Sequence, residues 1–203
     1  MKEIGMLFSG EMVRAILDGR KTQTRRIVKY PYQGWIESDN GKYPAVNAEQ
    51  RWVDLIEFSP YRSGDHIYVR ETWGVLNDKY HRCCYLVDSQ YPQGRSRQQL
   101  VGNRWRPSIH MPKAAARIWL EVTDVRTERL QDISEKDAIA EGIDMESEFA
   151  SLCIDLETAP YSNDLVRNSA AITVFKKLWE STCGSWDANP WVWAISFKRI
   201  EVK

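Results

Sequence analysis

The segment GRKTQTRR, residues 19–26, concentrates four cations and two threonine hydroxyls in a chain whose formal net charge is zero. Arg25 and Arg26 could each hold a phosphate or a carboxylate through two parallel hydrogen bonds, which a single lysine cannot do. Short basic clusters are also common on solvated protein surfaces. The segment therefore predicts either an anion-binding turn or an exposed basic loop.

The spacing of Lys21 and Thr24 allows a second kind of chemistry. If the segment turns tightly into a strand, these side chains can converge, and a lysine with a lowered pKa can take the proton of a threonine hydroxyl. Lysine-activated hydroxyls are a known variant of the serine triad. Such a hydrolase also needs an acid for the leaving amine, and the candidates are Glu71 in RETW and Glu141 in AIAEGI. Glu71 is equally well explained as an ion-pair partner of the arginines in the basic segment, and Glu141 as an exposed helix residue.

Hydrophobic spacing predicts the elements that would position these residues. Residues 4–8 predict a short strand, and Ser9 then caps a helix that ends at Gly19, so the basic segment lies just past a helix end. The stretches SGDHIYVRETW and RIWLEVTDVRTERL alternate apolar residues as strands do. Ser134 caps a short helix that Gly142 closes, and a longer helix and the strand NPWVWAISFKRIEV follow.

Three irregular polar stretches, near residues 29–60, 77–104 and 144–163, are predicted to be insertions. With 203 residues, of which 43% are hydrophobic, the chain is expected to form a single α+β domain, residues 1–203, around a curled sheet or small barrel. A parallel doubly wound sheet is disfavoured, because strands and helices do not alternate regularly and no glycine-rich phosphate loop follows a strand.

Sequence features that would mark export, a membrane or a metal are weak. The start of the chain lacks the apolar run of a signal peptide, and no stretch reaches membrane-spanning length. The four cysteines show no CxxC spacing, and His81 near Cys83 is better explained as a scattered residue than as part of a metal site. We predict a reduced, cytoplasmic protein with no membrane partner, no cofactor and no metal.

The blocks LDGRKTQTRR, GDHIYVRETW, LQDISEKDAIAEGI and WVWAISFKRI together resemble the ASCH domain family of the PUA-like fold, a small curled β-barrel with helices that close its cleft. The fuller pattern is similar to the longer ASCH proteins common in phages and prophages. Some small bacterial members are amidohydrolases that deacylate acetylated cytidine, and they carry a Gly-Arg-Lys-Thr-x-Thr motif and a glutamate in the helix after the long strand. The resemblance implies Lys21 as the proton acceptor, Thr24 as the nucleophile and Glu141 as the proton donor.

Other ASCH proteins are thought to bind RNA, and some to cut it. For that role Lys21, Arg25 and Arg26 would contact phosphate. Trp73, Trp105 or Tyr68 would stack on bases, with core packing as the alternative, and for Trp73 the two explanations are equally good. The balance of 28 basic and 28 acidic residues disfavours long RNA contacts and favours a small substrate.

We therefore predict an amidohydrolase that acts on an acylated cytosine nucleoside or nucleotide. The alternatives are a non-catalytic module that binds single-stranded RNA or a modified nucleotide, and a ribonuclease. The residues predicted to bind the substrate are Arg25, Arg26, Glu71, Trp73 and Tyr68.

Overall fold

The computed structural model describes residues 1–29, 45–46, 52–53, 55–75, 82–88, 105–144 and 163–201. The chain divides into two compact units. The first comprises Met1–Arg20, Gly64–Glu121 and Lys198–Lys203, and the second comprises Lys21–Ser63 and Val122–Phe197. Most residues of the three predicted insertions lie outside the described part, so the single domain with those insertions stays a prediction.

In chain order, the strands are β1 (Glu3–Leu7), β2 (Gln23–Ile27), β3 (Ala45–Val46), β4 (Trp52–Val53), β5 (His66–Arg70), β6 (Trp73–Val75), β7 (Cys83–Tyr85), β8 (Trp119–Arg129) and β9 (Trp191–Ile200). The helices are α1 (Gly10–Leu17), α2 (Glu135–Ala140) and α3 (Asn163–Thr182).

In the first unit, β1 pairs with β5 in parallel and β5 pairs with the start of β8 in antiparallel register. Ile67 and Val69 of β5 are buried while their neighbours are partly exposed, which confirms the predicted alternation. Helix α1 begins after Ser9, whose hydroxyl accepts a hydrogen bond from the main-chain N–H of Met12 at 3.3 Å. It ends before Gly19, whose φ of 76° is a left-handed conformation that glycine adopts without strain.

In the second unit, β2 pairs with β9 in antiparallel register, with Thr24 opposite Ile195. Helices α2 and α3 contribute to an apolar core that includes Leu130, Phe175, Trp179 and Val192. The predicted strand NPWVWAISFKRIEV is confirmed by β9, whose first five residues are all buried. Both sides of this part of β9 are buried because the α2–α3 core covers the side that carries Val192.

The strands of the larger sheet follow the order β1-β5-β8-β9-β2, and β8 and β9 contribute residues to both units. Short antiparallel pairs join β3 to β4 and β6 to β7. A mixed sheet with a few helices confirms the predicted α+β class, while its closure into a curled barrel stays a prediction. No helix in the described part of the chain combines the length and the hydropathy needed to cross a membrane.

Candidate functional site

Lys21 and Glu141 meet at the point where helix α2 ends beside the start of strand β2. Their main chains form an isolated antiparallel β-bridge, and the N–H of Thr22 donates to the carbonyl oxygen of Ala140 at 2.8 Å. Lys21 Nζ donates both to Glu141 Oε2 at 2.7 Å and to the Glu141 main-chain oxygen at 2.8 Å. The lysine thus binds the carboxylate and one of the carbonyl groups that the helix end leaves without an intrahelical partner.

Burial controls the protonation of this pair. The side chain of Lys21 is 0% exposed and that of Glu141 is 4% exposed. Burial lowers the pKa of the Lys21 amine and outweighs the attraction of Glu141, while the charges of Arg26 and Arg25 lower this pKa further. The alternative prediction of an exposed basic loop is therefore wrong at Lys21. The alternative prediction of an exposed helix residue is wrong for Glu141.

Arg25 binds the second oxygen of the same carboxylate. Its Nη1 donates to Glu141 Oε1 at 3.0 Å and to Gln23 Oε1 at 2.8 Å. Its Nε and Nη2 donate to Glu128 Oε1 at 2.9 and 2.6 Å. The side chain is 0% exposed, so each nitrogen of this guanidinium group is occupied inside the protein.

The contacts continue to a second arginine and a third carboxylate. Arg126 donates from Nε to Glu128 Oε2 at 3.0 Å and from Nη2 to Asp137 Oδ2 at 2.7 Å. Burial raises the pKa of the Asp137 carboxyl, but the hydrogen bond from Ser134 and the charges of Arg126 and Arg25 bring the pKa below its ordinary value. We call this group the Lys21 cluster, and its charged members are Lys21, Arg25, Arg126, Glu128, Asp137 and Glu141. Its three cations and three carboxylates give it no net formal charge.

Thr24 lies in β2 and is 2% exposed. Gln23 and Arg25 contact each other on one side of this strand, so alternation places the Thr24 side chain on the other side. In the part of the chain that the structure describes, no hydrogen bond joins Thr24 to Lys21 or Glu141. The structure therefore brings together two of the three residues that the resemblance implies, and the role of Thr24 stays a prediction.

Glu71 belongs to the first unit, where it is 1% exposed. Arg117 donates to both of its oxygens, from Nε at 2.9 Å and from Nη2 at 3.0 Å, and also contacts Asp88. Burial raises the pKa of Glu71 above its ordinary value, against the hydrogen bonds and charge of Arg117. The sequence suggested that Glu71 pairs with an arginine of the basic segment, whereas the structure gives it Arg117.

The two aromatic residues predicted at the substrate also lie in the first unit. Trp73 is buried in a small apolar cluster with Met111 and Ala115. Tyr68 is half-buried, and its ring centroid lies 5.7 Å from that of Trp119. Both are in packing contacts, and the prediction that they stack on a base is not tested by these contacts.

Several members of the Lys21 cluster are absent from the residues predicted to be functional. Glu128 and Arg126 are two residues apart in β8, and Gln23 and Arg25 are two residues apart in β2, so each pair lies on one face of its strand. This spacing is the signal that could have found them, although the intervening Thr127 and Thr24 are polar as well. Arg117 and Asp137 carry no comparable pattern.

No protein family model and no curated protein matches the chain. Solved structures similar to it include an ASCH domain from Lactobacillus crispatus JV V101, at 11% identity and a TM-score of 0.37, over 99% of this chain and 81% of that chain. They also include a protein from Enterococcus faecalis V583 described under the family model DUF984, at 12% identity and a TM-score of 0.38, over 100% of this chain and 82% of that chain. The first is an ASCH domain, the family that the sequence motifs resemble.

Proposed function

We propose that the chain is an amidohydrolase that removes the acyl group from the exocyclic amine of a cytosine nucleoside or nucleotide, with Lys21 and Glu141 as its proton-transfer pair. The observation that carries the proposal is the 2.7 Å hydrogen bond between a fully buried amine and a buried carboxylate. A lysine whose pKa is lowered by burial has a larger neutral fraction at a given pH, and only the neutral amine can accept a proton.

The placement of Arg25 favours this proposal over phosphate binding. A phosphate-binding arginine needs free N–H groups directed at the ligand. The guanidinium group of Arg25 instead donates to Glu128, Glu141 and Gln23 and is enclosed by protein. An RNA contact through Arg25 would require the Lys21 cluster to open and leave buried carboxylates without this partner, at a high cost.

In the proposed reaction, neutral Lys21 accepts the hydroxyl proton of Thr24, and Thr24 Oγ1 forms a bond with the acyl carbon. The hydrogen bond between Lys21 Nζ and Glu141 Oε2 then offers a route for this proton to the carboxylate. Glu141 delivers it to the exocyclic nitrogen as the carbon–nitrogen bond breaks. Water hydrolyses the resulting Thr24 ester, which releases the carboxylic acid and restores the hydroxyl. Because alternation places the Thr24 side chain on the face of β2 away from Gln23 and Arg25, the attack requires a local rearrangement that brings the Thr24 hydroxyl within hydrogen-bond reach of Lys21.

The test is release of cytidine from acetylated cytidine by the purified protein. Lys21→Met and Glu141→Gln should each lower kcat by about a hundredfold or more, as expected for loss of a general acid or base. Matched controls are Lys29→Met and Thr22→Val, because both residues are exposed and lie in the same segment of the chain. Turnover in Lys21→Met equal to that of the wild type would refute the proposed pair.

Thr24→Val keeps the shape of the side chain and replaces its hydroxyl by a methyl group. Loss of turnover in this variant, but not in Thr22→Val, is expected if Thr24 is the nucleophile. If Thr24→Val remains active while Lys21→Met is inactive, water replaces Thr24 as the nucleophile. A wild-type protein that releases no cytidine, yet binds an RNA oligonucleotide in a salt-sensitive manner, would favour the binding module instead.

A further inference from the structure

Arg25 is placed to control the candidate proton-transfer pair without contacting a substrate. On the basis of the proposed function, we propose that Arg25 is a positioning residue, held by Glu128, which fixes the Glu141 carboxylate toward Lys21. This differs from the substrate contact that the sequence predicts for Arg25. Glu128 has no role in the predicted site.

The two oxygens of Glu141 have different partners. Lys21 donates to Oε2 at 2.7 Å, and Arg25 donates to Oε1 at 3.0 Å. A carboxylate held at both oxygens cannot rotate about its terminal bond without breaking one of these contacts. Arg25 therefore keeps Oε2 directed at the Lys21 amine, which is the geometry that proton transfer between them requires.

Arg25 is itself held on several sides. Its Nε and Nη2 both donate to Glu128 Oε1, whose second oxygen accepts from Arg126. The Cζ atom of Arg25 lies 5.6 Å from the ring centroid of Phe175, within range of a cation–π contact. The guanidinium group is thus fixed before any substrate arrives, as expected of a preorganised site.

Arg25 also acts on Lys21 through its charge. Burial has the largest effect on the Lys21 pKa and lowers it, Glu141 from the end of α2 raises it, and Arg26 and Arg25 from β2 lower it further. Glu128, Asp137 and Arg126 complete the charges of the cluster. Removal of the Arg25 charge should raise the Lys21 pKa, because a repelling cation is lost.

The experiment compares Arg25→Met with Arg126→Met. The second variant removes the same charge from the same cluster, and the side chain of Arg126 donates to Glu128 and Asp137. The readouts are the NMR titration of the Lys21 side chain, and kcat, KM and the acidic limb of the pH–rate profile with acetylated cytidine. In Arg25→Met, we expect the Lys21 pKa and the acidic limb to move to higher pH. We also expect kcat to fall by about a hundredfold, the loss typical of misplaced catalytic groups, with KM little changed. Arg126→Met should leave the Lys21 titration and the limb in place.

Arg25→Lys distinguishes the effect of the positive charge of Arg25 from the effect of its hydrogen bonds. It also provides a test if Arg25→Met does not fold. It keeps a cation but cannot contact Glu128 and Glu141 as the guanidinium group does. We expect a lower kcat with a Lys21 titration closer to that of the wild type. An unchanged Lys21 titration in Arg25→Met, or an unchanged kcat in Arg25→Lys, would overturn the proposal. Because the NMR titration needs no turnover, its result stays informative if the wild type fails to hydrolyse acetylated cytidine, which would count against the proposed function alone.

Discussion

Replacing Glu141 with leucine should destabilise the protein far more than replacing Lys21 with methionine. Glu141 binds both Lys21 and Arg25, whereas Lys21 has Glu141 as its carboxylate partner. Glu141→Leu removes the group that raises the Lys21 pKa, so the buried amine must either stay charged without a counter-charge or give up its proton, and loss of one partner from a buried pair costs about 3–5 kcal/mol. Lys21→Met leaves the carboxylate with Arg25, so we expect a cost nearer 1–3 kcal/mol, roughly that of a lost hydrogen bond to a charged group.

The double variant Lys21→Met/Glu141→Leu completes the cycle. It removes the buried amine that lacks its partner, and Arg25 keeps Glu128, so the double variant should be more stable than Glu141→Leu alone. The assay is urea unfolding at pH 7 with a common m-value for the four proteins. A cost below about 1 kcal/mol for Glu141→Leu, the value of an exposed ion pair, would refute a buried pair. A double variant less stable than Glu141→Leu would refute the explanation that the cost comes from a buried Lys21 amine without its partner.

The same pair predicts how stability depends on pH. Because the Lys21 pKa in the folded protein is below its ordinary value of 10.5, the unfolded chain binds more protons at this residue between those two values. The contribution of Lys21 to the free energy of unfolding should therefore rise as pH increases through that window, by at most about 1.4 kcal/mol per pH unit. Lys21→Met should abolish this contribution, and the difference between the two pH–stability curves measures it.

Three further predictions concern the elements around the cluster and the first unit. Gly5→Ala should cost about 1–3 kcal/mol in urea unfolding, because a Cβ at Gly5 would lie 2.6 Å from Cζ and Oη of Tyr68; full stability would contradict this contact. Ser134→Ala should lower the free energy of unfolding by about 1 kcal/mol, because Ser134 caps α2. An unchanged Tm in thermal unfolding would contradict this prediction. The Glu71 pKa is above its ordinary value of 4.5, so its contribution to stability should fall as pH rises above that value, and Glu71→Gln should remove this slope; identical slopes in both proteins would contradict the raised pKa.

Local rules predicted much of the fold. Ser9 and Ser134 begin helices because their hydroxyls accept main-chain hydrogen bonds, and the alternation of Ile67 and Val69 shows which face of β5 is buried. These features depend on neighbours a few residues away. The burial of both sides of β9 could not be predicted in this way, because it depends on where α2 and α3 pack.

Local sequence patterns likewise predict only part of the candidate site. The sequence motif predicts roles for Lys21 and Glu141, which are 120 residues apart and meet through the bridge between Lys21 and Glu141 at the end of α2. The sequence does not predict the ion pair between Glu71 and Arg117, because these residues are 46 positions apart and come together only when distant segments pair. The sequence also does not predict burial of the Lys21 cluster. Charged side chains are expected to be exposed unless they are paired, and the pairing depends on the tertiary structure.

The most direct test of the central claim is the rate at which the wild-type protein releases cytidine from acetylated cytidine across a range of pH. If neutral Lys21 starts the reaction, kcat/KM should increase as pH rises through the lowered pKa of this lysine and then level off, and Lys21→Met should show no such rise. Absence of turnover at every pH in a folded protein, or an identical profile in Lys21→Met, would contradict the account.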